Sequence, residues 1–315
     1  MAFKILGTGS ALPSKKVTND DLSKMVDTSD EWIISKTGIK TRHILSDESL
    51  ADIAKAAAES ALADAKTDKS EIDLIICATM GADYRSPGLA AILSETMGIP
   101  CAAFDVNSAC TGFIYALDVA DGFFCRKKAK KILVVAADAM SRFVDWTDRA
   151  TCVLFGDGAG AVLLGAGDGY LSSKLTCEGN AGVLNIPCGA GNLFAEAKTA
   201  PYLYMNGQEV YRFAVSAMSN DVVDVVTAAG LAMDDISYVL PHQANARIIK
   251  AAGDKLGVSR DKILVNIQDC GNMSAASIPV LLDVYNKKGT FKPGDILVMS
   301  AFGGGLTTGA CVIRW

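Results

Sequence analysis

Helical and extended stretches alternate along this chain. Residues 48–66, ESLADIAKAAAESALADAK, form an Ala-rich helical run. EIDLIICATM (71–80) is a short run rich in β-branched side chains, and a helix follows near 87–97. AAFDVNSAC (102–110) reads as a strand, 111–126 as a helix and KKILVVAADA (130–139) as a strand. Helices set between near-continuous apolar strands predict an α/β fold whose sheets are covered on both faces.

The order then recurs. Residues 207–229 read as a helix, DDISYVLPHQ (234–243) as a strand and 244–256 as a helix. KILVNIQDCGN (262–272) follows, then an apolar helix over 275–286 and the strand GDILVMSAFGGG (294–305). Ile72 and Ile236 lie 164 residues apart, Cys110 and Asn272 lie 162 apart, and Ile132 and Ile296 lie 164 apart. A shared offset across three landmarks predicts an internal duplication, with halves at 1–165 and 166–315. On this alignment Cys110 and Asn272 hold the same place in the two halves. Pseudo-twofold packing would bring them together across the interface, where ligand pockets often form.

Composition narrows the function classes. Half of the 315 residues are hydrophobic and 21% are charged, enough for a large core. No apolar stretch reaches the roughly 20 residues that a membrane span needs. The net charge of −5 argues against a nucleic-acid partner. The nine cysteines contain no C-x-x-C pair, which argues against a disulfide framework or a zinc site. With no recognisable secretion signal in MAFKILGTGSALPS, these features predict a cytoplasmic protein.

The chemical groups are few. Of the two histidines, His43 reads as structural, while His242 in VLPHQANARII falls at a strand end where α/β sites form. Asn272, in DCGNMSAASIP, suits a turn or cap as well as a site, and Cys270 reads as structural. Cys110 precedes an apolar helix whose N-terminal dipole should lower its pKa. The glycine run FGDGAGAVLLG (155–165) lacks G-K-[ST] and precedes a strand, so it reads as a turn and not a nucleotide loop. AFGGGLTTG (301–309) reads as a hairpin or as a second oxyanion donor. Arg247, Lys250 and Lys255 on the helix beside His242, with Arg212, form either a solvated face or a docking patch for an acidic partner.

VNSACTGFIYAL, LPHQANARII, GNMSAASIP and AFGGG together resemble the β-ketoacyl-[acyl carrier protein] synthase III family of the thiolase-like superfamily. DTSDEWIISKTGIKTRHI is similar to that family's N-terminal signature. The resemblance implies a thiolase-like fold, two pseudo-symmetric halves stacked as an α-β-α-β-α sandwich, and a Cys110–His242–Asn272 triad. It further implies that Cys110 takes an acyl group from acyl-CoA, with an oxyanion held by the N–H groups of Cys110 and Gly304. His242 and Asn272 would then stabilise the enolate formed as malonyl-carrier protein loses CO2. The C-terminal glycine loop lacks the second reactive cysteine of a degradative thiolase, which favours decarboxylative condensation.

By the same resemblance, Trp32, Lys36, Arg149, Gly207, Asn245 and Phe302 would hold acyl-CoA. Gln243, Ala244, Asn245, Ala246, Arg247 and Arg212 would meet the acyl carrier protein. The family implies a homodimer, with no metal and no cofactor beyond these two substrates. Lys36 stands where many relatives have Arg. Ser86 stands where some place a large aromatic at the end of the acyl pocket, so the primer need not be acetyl. A starter enzyme of a specialised polyketide or quinolone pathway would carry the same triad. A papain-like hydrolase also uses Cys, His and Asn, but the duplicated α/β pattern is wrong for it.

Overall fold

The computed structural model describes residues 2–189 and 202–315. The first half contains β1 (Ala2–Ala11), α1 (Asp30–Thr37), α2 (Leu50–Asp64), β2 (Leu74–Ala78), α3 (Leu89–Met97), β3 (Ala102–Val106), α4 (Gly112–Cys125), β4 (Lys131–Ala139) and β5 (Asp157–Gly167). Its sheet runs β1-β5-β4-β2-β3; β2 is parallel to β3 and β4, and β5 is antiparallel to both its neighbours.

The second half contains β6 (Tyr170–Cys177), α5 (Gly207–Ala228), β7 (Tyr238–Pro241), α6 (Ala246–Leu256), α7 (Ser277–Lys287), β8 (Ile296–Gly303) and β9 (Thr307–Arg314). Its sheet runs β7-β8-β9-β6, the same order with one strand fewer. A lone parallel bridge from Val239 to Ile263 stands where the first sheet has β3. The sequence predicts a longer extended run there, by analogy with 102–110. Instead the Gln243 side-chain oxygen accepts the N–H groups of Asn266 and Ile267, turning the chain into a short helix, Ile267–Cys270.

Alternation within single strands builds the layers. On β4, Ile132, Val134 and Ala136 face a core shared with α4, α7 and the second sheet. Leu133, Val135 and Ala137 face α2 and α3 on the other side. In the second half, Val298 and Val312 pack against Val222 and Val226 of α5. The result is helix, sheet, paired helices, sheet, helix. Close packing of α7 on β5 depends on Gly160, where a Cβ would lie 2.7 Å from the Val280 nitrogen. The run 155–165, read from sequence as a turn, is thus mostly β5 itself, and Gly160 within it admits a helix to the strand's face.

Candidate active site

A cavity of about 1520 Å³ opens at the carboxyl ends of β2, β3, β4, β7 and β8. Both halves line it. Cys110, His242 and Asn272 meet there, with Asn107, Phe302, Gly303 and Gly304.

Two matching turns build its floor. After β3, the Asn107 side-chain oxygen accepts the Ala109 N–H at 3.2 Å, and Ala109–Thr111 form a single 3₁₀ turn leading into α4. In the second half, the Asn272 side-chain oxygen accepts the Ser274 N–H at 2.9 Å, and Ser274–Ala276 form the same turn leading into α7. Ala109 has φ +46° and Ser274 has φ +49°, a left-handed conformation that costs a non-glycine residue about 1–3 kcal/mol. Matched bond for bond, Asn272 corresponds to Asn107, and Cys110 corresponds to Ala275. This corrects the alignment of Cys110 with Asn272, which rested on an offset of 162 where the turns themselves are 165 apart. The two residues approach because the turns face each other, not because they are symmetry mates. Gly303 closes the third side: a Cβ there would lie 2.8 Å from the Cys110 nitrogen.

The electrostatics separate the roles. Burial pushes the Cys110 thiol up to about 12, and the nearby Asp138 carboxylate adds to the rise. The sequence predicts the opposite, a thiol acidified by its helix. Desolvation outweighs that field, because α4 proper begins only at Gly112, two residues past the sulfur. Burial drives His242 down to about 3, so its imidazole is neutral, and neither ring nitrogen has a protein partner. The ring meets Phe302 edge-on at 5.6 Å. Since the Asn272 oxygen is taken by Ser274, its NH2 is the end left to donate.

Further from the floor, Trp32, Lys36, Gly207, Ala244, Asn245, Arg212 and Arg247 line the cavity. The Arg149 guanidinium lies 5.2 Å from the Trp32 ring centroid and is anchored by the Asp27 carbonyl at 2.7 Å. Asn245 caps α6 and donates to the Lys36 carbonyl at 3.1 Å, joining the two walls. Arg212 and Arg247 are exposed, and among the described residues neither enters an ion pair. Ala246 is half-buried beneath Gly38. Gln243 is a correction to the carrier-protein contacts: it is 0% exposed, and its amide is spent on Pro241, Asn266 and Ile267. Ser86 is exposed and does not line the cavity, whereas Tyr84 and Arg85 before it do.

Two residues beside the floor escape the motif reading. Asp138 is 0% exposed, and burial raises its carboxyl to about 6. Ser274 is also fully buried. A lone carboxylate inside the apolar run KKILVVAADA was the signal available for the first. Nothing in GNMSAASIP marks Ser274 apart from its neighbours.

Residues 104–179 match the 3-oxoacyl-[acyl-carrier-protein] synthase III family model, and residues 226–315 match the model of that enzyme's C-terminal part. A β-ketoacyl-[acyl-carrier-protein] synthase III of Clostridium acetobutylicum is 47% identical, over 100% of this chain and 99% of its own. The crystal structure of a 3-oxoacyl-[acyl-carrier-protein] synthase III from Aquifex aeolicus superposes with a TM-score of 0.93 at 44% identity, over 99% of this chain and 100% of that one. The priming β-ketosynthase of the R1128 polyketide pathway gives the same TM-score at 32% identity, over 99% of this chain and 96% of that one.

Proposed function

The chain belongs to the 3-oxoacyl-[acyl-carrier-protein] synthase III family, and on that premise we propose that it starts fatty-acid synthesis by condensing a short acyl-CoA with malonyl-acyl carrier protein. The observation that carries this reading is the fixed amide of Asn272 beside the neutral imidazole of His242, facing Cys110 in one cavity.

The Cys110 sulfur forms a bond to the acyl carbon, the C–S bond to CoA breaks, and the thiol proton leaves with CoA. The thiol must lose its proton as the sulfur attacks, and His242, whose ring nitrogens have no protein partner, is the group in the cavity that relays it. The backbone N–H groups of Cys110 and Gly304 hold the oxyanion. CoA departs through the channel lined by Trp32, Lys36, Gly207, Asn245 and Phe302, with Arg149 behind Trp32.

Malonyl-carrier protein then enters past Arg212 and Arg247, cations at the mouth suited to an acidic partner, with Ala244, Asn245 and Ala246 beside them. The malonyl C–C bond breaks, CO2 leaves, and its electron pair becomes an enolate. His242 offers one N–H and Asn272 its NH2 to the enolate oxygen. Decarboxylation generates the carbanion directly, so no base need remove a C–H proton. The carbanion attacks the acyl group, the C–S bond to Cys110 breaks, and the sulfur recovers a proton from solvent.

Two further proposals complete the reading. The enzyme is a homodimer joined along β3, an unpaired sheet edge carrying the exposed Phe104. It works in the cytoplasm; a set of nine cysteines with no C-x-x-C pair supports this, and no described helix is long and apolar enough to cross a membrane. The test is condensation of malonyl-carrier protein with acyl-CoAs from acetyl through branched C4–C5 to C12. A peak at short or branched primers is expected. No product from any primer would overturn the reading.

A further inference from the structure

Asp138 is buried beside the site, and the chemistry above leaves it idle. Its carboxylate is a junction between the halves. One oxygen accepts the backbone N–H groups of Met80 at 2.8 Å and Gly81 at 3.1 Å, and the Thr79 hydroxyl at 3.3 Å. The other accepts the Ala275 N–H at 3.2 Å. Thr79 and Met80 wall the cavity in the first half. Ala275 belongs to the second-half turn that begins at Asn272.

The Ser274 hydroxyl is fully buried on the turn that carries Ala275. It has no hydrogen-bond partner among the described residues. The turns bearing Cys110 and Ser274 pack directly on one another. A hydroxyl has one proton to give. Aimed at sulfur, it stabilises thiolate; aimed at the carboxylate, it leaves sulfur protonated. A carboxylate sealed in apolar surroundings is costly unless donors surround it. Here the donors are drawn from both halves.

We propose that Asp138 is a positioning residue for the condensation: it holds the Asn272 turn to the first half through Ala275, and with that turn it sets the unpartnered Ser274 hydroxyl against the Cys110 turn. The proposal rests on Cys110 being the nucleophile. Ser274 and Asp138 then act on the sulfur in opposite senses, since the hydroxyl favours thiolate and the carboxylate repels it.

The test is the rate at which iodoacetamide labels Cys110 in the full-length enzyme at one fixed pH, followed on the peptide that carries it. Ser274→Ala should label about tenfold more slowly, the worth of one hydrogen bond to a charged group. Asp138→Asn should label faster than the parent, while kcat for condensation falls about tenfold as the Ala275 anchor is lost and KM for acyl-CoA holds. Structural loosening would also speed labelling of the buried Cys77, Cys270 and Cys311, so the gain must be confined to the Cys110 peptide; faster labelling of all four, or no change at Cys110, overturns the proposal. If Asp138→Asn fails to fold, Ser274→Ala alone decides: labelling at the parent's rate sinks it. Cys110→Ala serves as the control on the underlying reading. An acyl-enzyme formed by that variant would remove the nucleophile, whatever the order of labelling.

Discussion

The two halves carry the same turn with different cargo. In each, an asparagine closes an Asx turn on the residue two places on, that residue is left-handed, and the 3₁₀ turn it begins opens a buried helix. The first half places a thiol in the turn's second position, and the second half places an alanine there. The first asparagine, Asn107, is exposed, whereas Asn272 is 6% exposed and faces the nucleophile. The same frame thus occurs in both halves, and they differ in which position of it carries a reactive side chain. On the proposed mechanism, one half holds the nucleophile and the other holds the donors.

Breaking this division gives effects in descending order. Cys110→Ala should remove acyl-enzyme formation altogether, as read by intact mass after incubation with acyl-CoA; an acylated variant would place the nucleophile elsewhere. Asn272→Ala should spare acylation and slow release of CO2 from malonyl-carrier protein by roughly 100- to 1,000-fold, the worth of one preorganised donor. Equal loss in both steps would abolish the distinction between the halves.

The thiol's own state sharpens the comparison further. With Cys110 held near 12, its thiolate fraction in the free enzyme should grow about tenfold per pH unit. Labelling should therefore rise about a hundredfold between pH 8 and 10. A plateau below pH 8 would mean that the helix end, and not burial, governs the sulfur. The same shift carries a stability consequence. The unfolded thiol ionises near its ordinary value of 9.0, so this group's contribution is present below that pH and is lost as pH climbs towards about 12. The smallest expected effect is at the mouth. Arg247→Glu should raise KM for the carrier protein about tenfold and leave KM for acyl-CoA nearly unchanged, because rim charges act chiefly on encounter. Equal shifts would make Arg247 part of a solvated face.

Much of this was legible in the chain. Strand periodicity marked the parallel strands of both sheets, because they alternate between two buried faces and have little freedom to slip, whereas β6 went unread. The repeat was visible for the same reason. Its register at the site was not, since Cys110 and Asn272 look equivalent until the hydrogen bonds of each turn are paired. KILVNIQDCGN has the composition of a strand, but a buried glutamine from another loop captures its backbone. Gln243 itself sits in a motif that reads as surface, and only packing shows it sealed. The raised thiol depended on how many neighbours exclude water, which adjacency in sequence does not encode. The equal TM-scores of the Aquifex aeolicus synthase III and the R1128 polyketide enzyme show a further limit, of shape in this case. Backbone form is common to both, and the 47% identity to the Clostridium acetobutylicum relative is what favours the fatty-acid reading.

The shared central core has a consequence for how the molecule comes apart. Phe3, Ile132, Leu281, Leu297 and Ile313 belong to one continuous apolar cluster spanning both sheets and the helices between them. Neither half can shed its partner without exposing that cluster to water, so heating should melt the chain in a single cooperative calorimetric transition.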